Sequence, residues 1–345
     1  MRRKKSSRRQ FERALIADAE RPEAWEQAIH VEPLASPRPE WYHALKTAQM
    51  NTQSDRGQTS EANLKDAIDM VERLHGAVIL LEKFDRENVR GRIETKENHP
   101  SREFAIVATY LRTLAHVRTL IELKSATYFQ AISMIARAVF ELAVDIRLID
   151  RIPDAPERYD AFSKVERLRV ARRITEFHTA NVDRERHESP DLPAEPLQPF
   201  WVHEQFIRDN AEAIDKIAKK LWPKQFENNR TITHWSGKDL RQRALLVGPP
   251  FDEIYDVHYA ELSWYTHPGV GVIATLAKEM YPLICGQAYG IAIRCYYETL
   301  RFMIEELRLY ESDQLIQKKL EFARLAAFSD DQQKAEQLRY ELLGF

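Results

Sequence analysis

From Leu64 the apolar residues recur with a helical period. Leu64, Ile68, Val71, Leu74, Val78 and Leu81 share one face, so a long amphipathic helix opens the body of the chain near Glu61. The next cycle covers Phe104–Leu123, with Val107, Leu111, Leu114, Val117 and Ile121 as its stripe and Ser101 placed to cap it. After Ser125, a second candidate cap, "ATYFQAISMIARAVFELAVDIRLID" is apolar on nearly every side, the pattern of a central helix. Asp154 and Glu157, with Pro156 between them, then read as the start of a densely charged helix that reaches about His178. Four prolines within 188–199 exclude regular structure there. Helical periodicity returns over Phe200–Leu221, in "SGKDLRQRALLVG", through Tyr259–His267, over Tyr281–Tyr310, and in a tail opened by Ser329 and Gln332.

No stretch alternates as a strand does, and glycine is scarce, with 10 in 345 residues, against what the turns of a β fold need. The expected fold is therefore an all-α, multi-helix bundle with an N-terminal arm. The arm is 1–60: basic at its start, proline-rich in "VEPLASPRPEW", with short helical stretches and the anchors Trp25, Trp41 and Tyr42. The body is 61–345, with the proline-rich 188–199 as an internal loop.

Composition narrows the function classes. A formal net charge of −2 gives no whole-protein field that draws in nucleic acid or membrane, so any such attraction is local. Local basic features exist: "MRRKKSSRRQ" at the start and "RLRVARR", Arg167–Arg173, on the charged helix. RNA or another nucleic acid is thus one partner the basic N-terminus could serve, with a protein partner or a homo-oligomer as the others. The uncharged run Met280–Ile293 is shorter than a membrane span, and the basic start lacks a signal-peptide core, so the expectation is a cytoplasmic protein with no membrane partner. Cys285 and Cys295 read as buried thiols.

Three segments carry candidate chemistry. In "YAELSWYTHPG", Tyr259, Ser263 and His267 recur every four residues, and Pro268 stops the helix beside the imidazole. In "ARAVFELAVDIR", Arg137, Glu141 and Asp145 are again four apart on an otherwise apolar helix, where charge is costly unless partners on other helices meet it. In "RTITHWSGKDLRQRA", a helix starting at Ser236 or Gly237 would offer amides to an anion with Lys238 nearby, while His234 and Trp235 suit a loop anchor. The bland alternatives are a satisfied histidine at a helix end, and an ion pair that fixes helix register. There is no "GxSxG", "GxGxxG" or P-loop pattern, and none of His258, His267, Glu141 and Asp145 lies in an HxxxH or ExxH pair that would support a metal site there. No metal and no cofactor is expected.

In that order, "ARAVFELAVD", "HWSGKDLRQRA" and "YAELSWYTHPG" resemble a family of uncharacterised helical bacterial proteins catalogued as a domain of unknown function. The resemblance spans roughly 61–300. It implies a helical bundle in which Arg137, Glu141, Ser263 and His267 are the positions of interest, and it implies no activity. A more remote resemblance is to HEPN ribonuclease bundles, whose site is an Arg followed after four to six residues by a His. "RRITEFH" (Arg172 or Arg173 with His178), Arg38 with His43 and Arg92 with His99 meet that spacing no more often than the arginine content gives by chance. The ribonuclease reading instead needs His267 with Arg137 recruited from another helix.

The expectation is a pocket in which Glu141 orients His267, Arg137 balances Glu141, and Ser263 donates a hydrogen bond. Trp235, Lys238, Tyr259 and His234 would serve as ligand-binding groups around it. The functional expectation is an accessory or defence-type factor acting through RNA or a partner protein at this site. A metal-independent, HEPN-like ribonuclease and a scaffold without catalysis stand as the alternatives, so whether the protein is an enzyme stays open.

Overall fold

A computed structural model describes residues 61–93, 101–188, 200–227, 231–266 and 280–328. The N-terminal arm, the proline-rich loop after Glu188, His267 and the tail capping box at Ser329 lie outside the described residues. Among the described residues the chain is all-α, a multi-helix bundle with no strand.

The helices are α1 (Glu61–Asn88), α2 (Ser101–Glu122), α3 (Phe129–Leu148), α4 (Ala155–Glu188), α5 (Phe200–Leu221), α6 (Pro223–Glu227), α7 (Leu240–Val247), α8 (Phe251–Ile254), α9 (Ala260–Thr266), α10 (Tyr281–Glu306), α11 (Leu309–Ser312) and α12 (Ile316–Phe328). The residues divide into two compact units. Among the described residues, the first comprises 61–93, 111–143, 257–266 and 280–328, and the second 101–110, 144–188, 200–227 and 231–256, so α2 and α3 contribute to both.

In the first unit α1 packs against α10 and α12. Val71, Val78 and Leu81 of the expected stripe are buried. Ile68 faces outward instead, and Ala67, Ala77 and Phe84 complete the inner face. The C-terminal end of α2 is closed by side chains from two other helices. Tyr289 of α10 donates to the carbonyl of Leu123 at 2.7 Å, and His75 Nε2 of α1 lies 2.7 Å from that of Ile121. These carbonyls have no partner inside their own helix, and the two bonds supply one. Ser125 then accepts from Thr127 N and caps the 3₁₀ turn Ala126–Tyr128 that leads into α3. Arg90 bridges Glu82 and the fully buried Asp85 at 2.9 and 3.1 Å, closing the end of α1. Cys285 and Cys295 are buried free thiols, and burial pushes the Cys285 thiol up to about 12, out of reach of ionisation at neutral pH. Past α10, Arg308 takes a left-handed conformation (φ 48°), and the helix expected to reach Tyr310 restarts as α11.

The buried face of α2 is turned from the expected stripe. Ile106, Tyr110, Leu114, Val117 and Leu120 are inside together with Thr109 and Thr113, whereas Val107, Leu111 and Ile121 are only partly covered. Thr109 satisfies its hydroxyl on the Ala105 carbonyl at 2.7 Å, so a polar residue sits in the core without an orphan group.

In the second unit α4 packs along α5. α4 runs ten residues past the expected end at His178. Asp154, just before α4, receives Arg158 Nε at 2.8 Å. A small buried cluster of Ala161, Ala218, Leu221, Trp222 and Ile232 joins α4, the end of α5 and the loop 231–239.

Candidate functional site

α3 is the element that carries both charged clusters. Its sequence, apolar at Phe129, Ile132, Ala136, Val139, Phe140, Ala143, Val144 and Ile146, buries these side chains almost completely. Arg137, Glu141 and Asp145 are thereby held on a rigid support.

In the first unit, Arg137 and Glu141 meet Tyr259. Arg137 Nη2 donates to the Tyr259 hydroxyl at 2.8 Å, and that hydroxyl donates to Glu141 Oε1 at 2.8 Å. The direction is forced, because a guanidinium can only donate and the phenol has one proton. Arg137 also lies over the Tyr259 ring, 4.9 Å from its centroid, while its direct approach to Glu141 is 3.9 Å. Burial, then the charge of Glu141, push the Tyr259 hydroxyl up to about 12 against the lowering from Arg137. It stays a neutral donor at physiological pH. Tyr259 ends a π-helical turn, Tyr255–Tyr259, that leads into α9, and Ser263 Oγ donates to the Tyr259 carbonyl at 3.1 Å. Thus Arg137, Glu141, Tyr259 and Ser263 come together; whether His267 joins them lies outside the described residues. The cluster is not sealed: the Glu141 side chain is 39% exposed and that of Arg137 23%. One turn before Arg137 on the same face of α3, Met134 is 58% exposed, and Val257 and Trp264 (51%) are exposed on the segment that carries Tyr259.

In the second unit, Asp145 meets the loop 231–239. His234 Nε2 lies 2.9 Å from Asp145 Oδ2, and Arg243 Nη1 donates to Asp145 Oδ1 at 2.6 Å. Ser236 N donates to His234 Nδ1 at 3.2 Å, and Arg243 Nη1 also lies 2.9 Å from Nε2. Burial alone would raise the Asp145 carboxyl, but the hydrogen bonds and charges of His234 and Arg243 outweigh it and hold the group below the usual carboxylate range. Here the side chains are closed off, 14% exposed for Asp145 and His234 and 8% for Arg243. Trp222 Nε1 donates to the Trp235 carbonyl at 2.9 Å and Gln225 Nε2 to that of Gly237 at 2.8 Å. Gly237 has φ 69°, and a Cβ there would come within 2.9 Å of both Trp222 and Gln225. The "HWSGK" stretch is therefore a clasp that fastens the loop to α3 and to the end of α5.

The amides that the sequence offered to an anion are bonded within this clasp. The amides of Ser236, Gly237, Lys238 and Asp239 are all engaged, by His234 Nδ1, the His234 carbonyl, Ser236 Oγ and Gln242 Oε1. The helix begins later than expected, at Leu240, with Asp239 and Gln242 forming a reciprocal capping box. His234, Trp235 and Lys238, expected around the Tyr259 cluster, belong to the second unit, and their described bonds are those of the clasp. Asp145, read from the sequence as one of three spaced charges, is its hub. Arg243 was missed, because nothing in "DLRQRA" marks one arginine as buried. Among the described residues no group of three or more His, Cys, Asp or Glu side chains could hold a metal ion. Nor is any helix among them long and apolar enough to cross a membrane.

The chain belongs to a family of unknown function, DUF5677, whose model matches residues 103–279, a stretch that contains both clusters. No curated protein and no solved structure matches it.

Proposed function

We propose that this protein is an accessory factor that recognises a partner protein at the Arg137–Tyr259–Glu141 surface, without catalysis there. The carrying observation is the open, pre-organised triad: a guanidinium, a phenol and a carboxylate fixed by two 2.8 Å bonds yet still in reach of solvent. Arg, Tyr and Trp are the residues that dominate binding energy at protein interfaces, and Met134 and Trp264 add exposed apolar area on the same two segments. A tyrosine held neutral up to about 12 is a poor proton acceptor at physiological pH, which favours recognition over acid–base chemistry.

The charged helix gives RNA less than its sequence promised. Arg169 is bonded to Glu166, Arg172 to Asp215 at 2.7 Å, and Arg167 lies over the Phe206 ring. The RNA reading then rests on residues 1–10, Arg173 and His267.

The test uses wild type and Glu141→Arg, matched by circular dichroism, as bait in an extract of the cell that carries the gene. At least one protein held by wild type should be depleted about tenfold by the variant, the loss of one interface hot spot. Identical captured sets overturn the proposal. RNA cleavage by the wild type that disappears in His267→Ala replaces it with the ribonuclease reading.

A further inference from the structure

Among the described residues, Arg243 engages partners through only one of its nitrogens. Nη1 donates to Asp145 Oδ1 and lies 2.9 Å from His234 Nε2. Among the described residues Nε is buried without a partner, and no group bonds Nη2. These two nitrogens form the side edge of the guanidinium, a pair of parallel N–H groups whose spacing matches the two oxygens of a carboxylate or a phosphoryl group. An unmet donor on a side chain that is 8% exposed carries the full desolvation cost of that group. The geometry of the clasp itself does not use this edge: its bonds run through Nη1, His234, Ser236 and the two tryptophans.

The carboxylates of this region are engaged away from that edge. Asp145 is shared by His234 and Arg243, and Asp239 accepts from Gln242 N at 2.8 Å in the helix cap. Lys238, half-buried in the same loop, has no carboxylate partner among the described residues. The same loop holds a second buried donor without a partner among the described residues, Nε1 of Trp235, whose ring packs 5.2 Å from that of His234.

We propose that the Nε/Nη2 edge of Arg243 is the binding site for the oxyanion group of a small molecule, a carboxylate or a phosphate, in the second unit. This site is separate from the Tyr259 surface and stands or falls independently of the partner-protein reading. The clasp builds it: Asp145 and His234 hold the guanidinium at Nη1 and leave the Nε/Nη2 edge outside their own bonds.

The experiment follows the Arg243 Nε–H signal of the full chain by ¹⁵N nuclear magnetic resonance while acetate, and separately inorganic phosphate, is added. The expected result is a saturable shift of that signal with at least one probe, at a dissociation constant of about 1–10 mM, as befits a fragment of the full ligand. A response to acetate alone assigns a carboxylate, and to phosphate alone a phosphoryl group. Arg243→Lys keeps the charge but not the edge and should weaken binding at least about tenfold. Should that variant fail to fold, Lys238→Met serves, with a several-fold loss expected. An Arg243 signal unmoved by both probes overturns the proposal. So does binding of either probe at undiminished affinity in whichever of the two variants folds.

Discussion

Two hydrogen-bonded charge clusters hang from one helix, and they differ in closure. The Asp145–His234–Arg243 clasp is shut away, its loop pinned by two tryptophans and a left-handed glycine. The Arg137–Tyr259–Glu141 cluster has similar bond lengths but leaves its carboxylate more than a third exposed. The lesson is that bond geometry alone does not separate an anchor from a recognition surface. Desolvation does, because an interaction made in a closed site is strengthened and its loss is uncompensated by water.

The largest effect should come from Asp145→Ala. It strands Arg243 and His234 in a closed site, and breaking a buried pair of this kind costs about 3–5 kcal/mol. Urea unfolding measures it. The acid limb should report the same residue. With its folded pKa held below the ordinary value, Asp145 contributes stability in full above the unfolded carboxylate pKa of about 3.9, and loses it as pH falls through the lower folded value. Wild type should thus lose part of its advantage over Asp145→Ala only in strong acid, and a loss already complete near pH 5 would contradict the assignment.

Next in size is Gly237→Ala, at about 1–3 kcal/mol. The backbone there is left-handed, and the added methyl meets Trp222 and Gln225. A shift in melting temperature checks it, and an unchanged melting temperature would mean that the loop relaxes freely and is no clasp.

The smallest should be Tyr259→Phe. Two hydrogen bonds vanish, but water can reach Arg137 and Glu141, so about 1 kcal/mol of stability is expected. Because the folded hydroxyl is raised to about 12, its contribution is present below the unfolded value near 10 and lost as pH climbs from there. Unfolding of wild type and variant at neutral and at high pH should converge in alkali.

Much of the helical layout could be read from periodicity, and the reasons for the misses are physical. Phe200–Leu221 matches α5 end to end, because a strongly segregated apolar face is bounded by prolines at 199 and 223. α2 was mis-oriented because Thr109 and Thr113, polar by composition, lie inside the core, where Thr109 bonds the Ala105 carbonyl. That Arg137 and Glu141 need a partner from another segment followed from their cost on an apolar helix, and Tyr259, 118 residues from Glu141, is that partner. Pairing of Asp145 with Arg243, 98 residues on, had no local signal at all. Spacing of four along a helix shows which side chains share a face. It cannot show which face a loop will close.

The most direct test of the contrast is urea unfolding of Asp145→Ala and Glu141→Ala in parallel, two carboxylates one turn apart on α3. The account predicts a loss of about 3–5 kcal/mol for the first and about 1 kcal/mol or less for the second. Equal losses, or the reverse order, would contradict it.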